Sequence, residues 1–297
     1  MNKVGRNISS KIALLGASSV LALSAAVPGF AANASDYGVW SEPVLNSESG
    51  SYSGTISFTG TTIPSATYET VFSLVDDKDN EVEIRDTSEE WISEGTPFGA
   101  VFGFNGPSTT NNFLRTGVTL TSELASATTT ITFESPVPAD SLGVVIADLD
   151  IDSATISAKT ADNIALTGDE LVGSADPIGF NMCDTDKNIP TICEDVEDPK
   201  DLPLVTKNAN DVYVVNSEVG EDVGVSAWVK PSAEFSTLTI VHIGLGTPST
   251  VRIVLAGPTI PTLADTGSTK SDLFALAAAL MILGAFSLIY SRRFSNK

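Results

Sequence analysis

Short alternations of apolar and polar residues, rich in Val, Ile and Thr, recur through the middle of this chain, each closed by Gly, Pro, Asn, Asp or Ser. A side-chain period of two marks a strand with one buried face, and the punctuating residues supply the turns between strands. Segments of this kind stand at 54–58, 68–74, 82–84, 101–104, 118–121, 128–133, 143–147, 154–158, 213–215, 223–229, 238–243 and 251–255. Only 88–93 reads as helical, and briefly. A dozen short strands predict an all-β fold, a β-sandwich or jelly roll. Two immunoglobulin-like sandwiches divided near 136–140 would fit the same count. One domain is preferred, because no internal repeat is visible and no Pro/Ser-rich linker stands at that boundary.

The two ends follow a different rule. Residues 1–11 carry Lys3, Arg6 and Lys11 and no acid, and an Ala- and Leu-rich apolar run follows over 12–30. This is the order of a signal peptide, and Ala32-Asn33-Ala34 offers small side chains to a signal peptidase, so cleavage is predicted between Ala34 and Ser35. At the far end, 273–290 contains no charge and measures about 27 Å as a helix, enough to cross a bilayer core. Arg292, Arg293 and Lys297 follow it, which by the positive-inside rule keeps that tail in the cytoplasm and everything between the two runs outside.

Just before the span stands Leu263-Ala264-Asp265-Thr266-Gly267, then a spacer from 268 to 272, the apolar span and the basic tail. This ordered ending resembles the cell-wall sorting signal of Gram-positive surface proteins. The resemblance implies that a sortase thiolate attacks the carbonyl of Thr266, releases the fragment beginning at Gly267 and passes the acyl group to a peptidoglycan-precursor amine. Ala264 replaces the proline of the commonest form, and the L-A-x-T-G variant resembles the one preferred by a sortase class of high-GC Gram-positive bacteria. An uncut single-pass membrane protein is the alternative. The expected organisation is therefore a signal peptide at 1–34, a β-sandwich ectodomain at 35–256, a short linker with the sorting motif at 257–267, and the spacer, span and tail at 268–297. The stretch from 257 to the cut is ten residues, at most about 35 Å when extended, which would hold the domain within or just above the wall matrix.

Between Ser35 and Thr266 there are 9 basic and 36 acidic side chains, a net charge of 9 − 36 = −27 against −21 for the whole chain. With no basic stripe, such a surface repels phosphate backbones and excludes nucleic acid as a partner. Cys183 and Cys193 are the only cysteines, and in an exported chain the pair is predicted to form one disulfide. Beside them Asp184, Asp186 and Asn188 begin a calcium-loop pattern, but Ile189 stands where an EF-hand needs glycine, so this reads as a solvated acidic loop. Asp148, Asp150 and Asp152 lie at the end of the apolar segment 143–147. If that strand continued, alternation would set all three carboxylates on one face, a candidate Ca²⁺ site, the one cofactor the sequence suggests.

No catalytic constellation emerges. His242, the sole histidine, falls mid-strand without a nucleophile elbow and reads as a packed strand residue. Trp40, Trp91 and Trp228 read as core rather than as a sugar-stacking platform. Residues 129–137 and 144–150 loosely resemble strand pairs in β-sandwich modules of other bacterial surface proteins. The expected role is that of a non-enzymatic, wall-anchored surface protein with structural or adhesive function, served by signal peptidase, sortase and peptidoglycan. The ectodomain's own partner, glycan or protein, stays open. A glycan-active wall enzyme and a Ca²⁺-dependent carbohydrate-binding module remain as alternatives. A pilus shaft is disfavoured, because the tyrosine-proline-lysine acceptor motif and glutamate box of sortase-assembled pilins are missing.

Overall fold

A computed structural model describes residues 35–73, 80–86, 95–102, 112–118, 125–149, 152–186, 189, 193, 201–216, 224–244 and 249–258. The predicted signal segment, the sorting motif at 263–267, the apolar span, Asp150, Trp91 and the helical reading of 88–93 lie outside the described residues. In chain order the first strands are β1 (Ser35–Tyr37), β2 (Val39–Trp40), β3 (Val44–Asn46), β4 (Ser51–Ser57), β5 (Ala66–Phe72) and β6 (Glu81–Asp86). Helix α1 (Pro97–Phe102) precedes β7 (Asn112–Val118), β8 (Ser126–Val137), β9 (Gly143–Ala147) and β10 (Asp152–Lys159). Helix α2 (Gly168–Val172) leads to β11 (Gly179–Asn181), β12 (Leu204–Lys207), β13 (Val212–Val215), β14 (Val225–Val229), β15 (Phe235–Gly244) and β16 (Ser249–Pro258).

These strands form two antiparallel sheets packed face to face. The seven-stranded sheet runs β11-β14-β9-β16-β7-β6, with β1 also paired to β16, and the nine-stranded sheet runs β12-β13-β10-β15-β8-β5-β4-β2, with β3 also paired to β4. The alternation that predicted strands decides the layering. In β5, Ala66, Tyr68, Thr70 and Phe72 are buried while Thr67, Glu69 and Val71 are exposed. Ile131 and Phe133 of β8 and Leu238 and Ile240 of β15 face inward beside them, against Val144, Ile146, Ile253 and Leu255 of the other sheet. Each such side chain removed from water contributes about 1.5–3 kcal/mol. The buried hydroxyls of Thr70 and Thr129 satisfy one another at 2.9 Å, so they cost the core little.

The outer face of the seven-stranded sheet is covered as well at β9 and β14. All five residues of β9 and all five of β14 are buried. Here the expectation of a strand at 101–104 fails, because Val101 and Phe102 close helix α1. Thr96 starts that helix, its hydroxyl accepting the Gly99 N–H at 3.1 Å, and Pro97 takes the first helical position, where no N–H is needed. Phe98 and Phe102 then fall on one helical face and pack edge-on against Trp228, with ring centroids 5.7 and 6.3 Å away. Gly143 admits them, since a Cβ there would lie 2.3 Å from the Phe102 ring. Of the strand expected at 118–121 only Val118 is among the described residues, where it ends β7, a strand that begins earlier, at Asn112.

Helix α2, unforeseen in the alternation, is opened by a capping box in which Thr167 and Glu170 satisfy each other's backbone N–H groups. The Cys183–Cys193 disulfide is formed, with 5.4 Å between Cα atoms. Gly224, at φ +95°, passes close beneath it; a Cβ would meet the Cys183 sulfur at 2.7 Å and Asn181 Oδ1 at 2.6 Å. The last strand continues through Pro258, two residues into the expected linker, and Ser35 pairs directly with Pro258.

Candidate functional site

Asp148 and Asp152, two of the sequence's three metal candidates, and its histidine converge on one end of the sandwich, where β9, β13 and β15 finish and β10 and β16 begin. Asp148 follows the last residue of β9, and its φ of +60° breaks the alternation there. The strand therefore does not continue, and the premise that would have set Asp148, Asp150 and Asp152 on one face does not hold. Asp148 turns outward over the seven-stranded sheet, where Arg252 Nη2 lies 2.9 Å from Oδ2 and the Thr250 hydroxyl donates to the same oxygen at 3.4 Å. Burial pushes the Asp148 carboxyl above the usual carboxylate range, opposed by Arg252, Arg115 and the Thr250 hydroxyl and reinforced by Asp152. Desolvation wins because the group is almost wholly buried.

Arg252 belongs to a row of charges across that outer face, set by the register Glu83↔Arg115 and Arg115↔Arg252. Arg115 Nη1 bonds Glu83 and stands 3.2 Å from Glu81, while Arg85 Nε donates to Glu83 at 2.7 Å. Burial would raise the Glu83 carboxyl, but the hydrogen bonds from Arg85 and Arg115 outweigh it and hold it below its ordinary value. Arg252 also lies over the Phe113 ring, 5.8 Å from its centroid. The alternating signs leave neither a concentrated anionic nor a cationic patch.

Asp152 points the other way, into the space between the sheets. Its carboxylate accepts the Ser249 hydroxyl, and His242 Nε2 lies 2.8 Å from Ser249 Oγ and 3.7 Å from Asp152 Oδ2. Asp152 and His242 come from the nine-stranded sheet and Ser249 from the seven-stranded one, so the three side chains tie the layers together. All three are buried, at 0%, 1% and 1% exposure, which bears out the packed-histidine reading of His242. The Asp152 carbonyl accepts the Asn216 N–H at 2.9 Å, and the Asn216 amide donates to the Leu149 carbonyl at 3.0 Å, extending the tie.

A serine, a histidine and an aspartate in contact invite comparison with a hydrolytic triad, and the order of bonds answers it. A nucleophilic serine donates to histidine Nε2, and the carboxylate holds Nδ1 on the opposite side of the ring. Here the single Ser249 proton goes to Asp152, so Nε2 donates to Ser249 Oγ and cannot accept its proton. Among the described residues Nδ1 has no hydrogen-bond partner, and the carboxylate shares the Nε2 side. Buried this deeply, the serine offers no face to a substrate. The arrangement is built to cross-link two sheets.

Among the described residues no group of three or more His, Cys, Asp or Glu side chains is placed to hold a metal ion. Asp184 and Asp186 are exposed beside the disulfide. Trp40 and Trp228 are buried, the first packed edge-on to Tyr68 and the second donating its indole N–H to the Pro177 carbonyl at 2.8 Å. Sequence reasoning missed Ser249 and Arg252. Ser249 stands 97 residues from Asp152, and only the sheet packing brings them together.

No protein-family model matches the chain, and comparison with curated proteins finds no match. Among solved structures, the enzymatically active domain of tailspike protein 4 from bacteriophage CBA120 is similar at a TM-score of 0.31 and 8% identity. The likeness covers 64% of this chain and 19% of that one. A likeness at that level carries no argument about this chain.

Proposed function

We propose that this chain is an exported, non-enzymatic surface protein of a Gram-positive cell, attached to peptidoglycan by sortase through Thr266 and acting as a structural or adhesive module. The observation that carries the reading is the ordered ending of motif, spacer, apolar span and basic tail. The fold is compatible with it. The last strand closes at Pro258, leaving 259–262 between the sandwich and Leu263, a short reach for an enzyme working at the membrane surface. The first strand begins at Ser35, the residue expected to follow signal-peptide cleavage.

The test is fractionation of the native cells with a muralytic enzyme, followed by the mass and C-terminal peptide of the released protein. Release only on wall digestion, with Thr266 bonded to a wall peptide, is the expected result. Recovery by detergent alone with Lys297 still attached would make it an uncut membrane protein, and a ladder of multiples would mean polymerisation.

A further inference from the structure

The outer face of the nine-stranded sheet differs from the rest of this acidic chain in being almost free of charge. Register sets its outward side chains in rows across the strands. One row runs Thr55, Thr67, Thr132, Thr237 and ends at Lys159, and the next runs Ser53, Glu69, Thr130, Thr239 and Ser157. Neighbouring strands lie about 4.8 Å apart, so the hydroxyls form a regular lattice, with Glu69 the one carboxylate in the two rows.

At the β3 edge this face is hollowed into a groove of about 630 Å³. Ser53, Thr55, Thr67, Glu69, Thr130 and Thr132 line it on the sheet side. Ser41 and Val44 form its rim, where the chain leaves β2, bulges and returns as β3. On the inner side of the sheet, Gly54 makes room for the Tyr68 ring, because a Cβ there would lie 2.6 Å from both Ser41 Oγ and that ring. The floor is fixed. The Tyr68 hydroxyl donates to the Ser41 carbonyl at 2.9 Å, and burial, with Glu42 nearby, pushes that phenol up to about 12, so it keeps its proton. Val44 is 66% exposed at the rim, an apolar side chain with a contact still to make.

We infer that this groove is a binding site for a neutral oligosaccharide, held without a metal ion. Threonine and serine hydroxyls both donate and accept, so they match sugar hydroxyls in either sense. The Glu69 carboxylate can accept from two adjacent hydroxyls of one ring, a charge-assisted pairing stronger than any neutral one. Val44 offers an apolar contact for the C–H face of a ring. The volume falls in the range of roughly 300–1,000 Å³ typical of small-molecule sites. Among the described residues no Lys or Arg lines the groove and the one charge is negative, so uronates, sulfated sugars and teichoic phosphates would meet repulsion without compensation. The inference does not depend on wall anchoring and stands or falls apart from it.

The test uses the full chain, purified in a polyoxyethylene detergent that carries no sugar, with threonine methyl groups isotopically labelled. Cellohexaose, mannohexaose and chitohexaose are titrated in the presence of a chelator, with a hexagalacturonate as the anionic counterpart. At least one neutral hexasaccharide is expected to bind saturably, with a dissociation constant on the order of 1 mM or tighter. Binding should shift the methyl signals of Thr67, Thr130 and Thr132 and leave Thr206 still. Thr132→Arg, which fills the groove from an exposed position, should weaken binding at least tenfold, and Glu69→Gln several-fold, with the melting temperature held. Ser53→Arg at the groove's other side serves if Thr132→Arg does not fold. No saturable binding by any neutral hexasaccharide would overturn the inference. So would equal binding of the hexagalacturonate, or affinity unchanged by both arginine variants.

Discussion

The two sheets of this sandwich share an interior and differ in what they do with their outer faces. Beside β9 and β14 the seven-stranded sheet is roofed by α1, with Phe98, Phe102 and Trp228 packed over a glycine, so those two strands are buried on both sides. The nine-stranded sheet leaves a lattice of hydroxyls facing solvent. The difference teaches where sequence change is tolerated and where a partner can be met. Where the sheet is buried on both sides its side chains serve packing, whereas the bare face keeps its hydroxyl donors and acceptors turned to solvent.

Substitutions on the two outer faces should separate sharply. Trp228→Ala empties the roof of its largest side chain and is expected to cost about 3–5 kcal/mol in chemical denaturation. A loss under 1 kcal/mol would mean that α1 covers the sheet without stabilising it. Gly143→Ala presses a methyl group into the Phe102 and Phe98 rings, and about 1–3 kcal/mol should go, because neither ring has room to retreat. The same assay on Thr239→Val, in the middle of the bare face, should register a change within about 0.5 kcal/mol of zero. A large effect there would show that the hydroxyl rows stabilise the fold, and the contrast between the faces would dissolve.

Much of this architecture was legible in the sequence because period-two patterning reports which side of a strand meets the core. The segment 143–147 is a strand to the residue, and 128–133, 154–158 and 251–255 lie inside β8, β10 and β16. The cysteine pair was equally plain. What escaped had physical reasons. In α1 the apolar residues Phe98, Val101 and Phe102 lie in a segment too short for helical periodicity to stand out, and the signal that was there, Thr96 followed by Pro97, is a capping signal. β7 hid because its outward side chains include Arg115, paired to glutamates on β6, so it looked polar. The short edge strands β2, β3 and β12 bury too little to leave a pattern. The tie of Asp152, Ser249 and His242 was beyond reach, since no local rule links residues 97 positions apart; sequence showed the histidine and the aspartate but not that a serine would stand between them. Asp148 was misjudged because a left-handed residue ends a strand without any apolar or polar signal.

The pairing of β16 acquires a mechanical meaning in a chain held at Thr266. Traction from the wall would enter the fold along this strand, which bonds β7 over 249–253, β9 over 252–256 and β1 over 256–258. Those bonds lie across the direction of pull, so the load is shared by many at once in shear instead of opening them one after another. In such a chain the strand nearest the tether is gripped from both sides, by β9 on one and by β1 and β7 on the other, and a drag force would be spread over three neighbours at once.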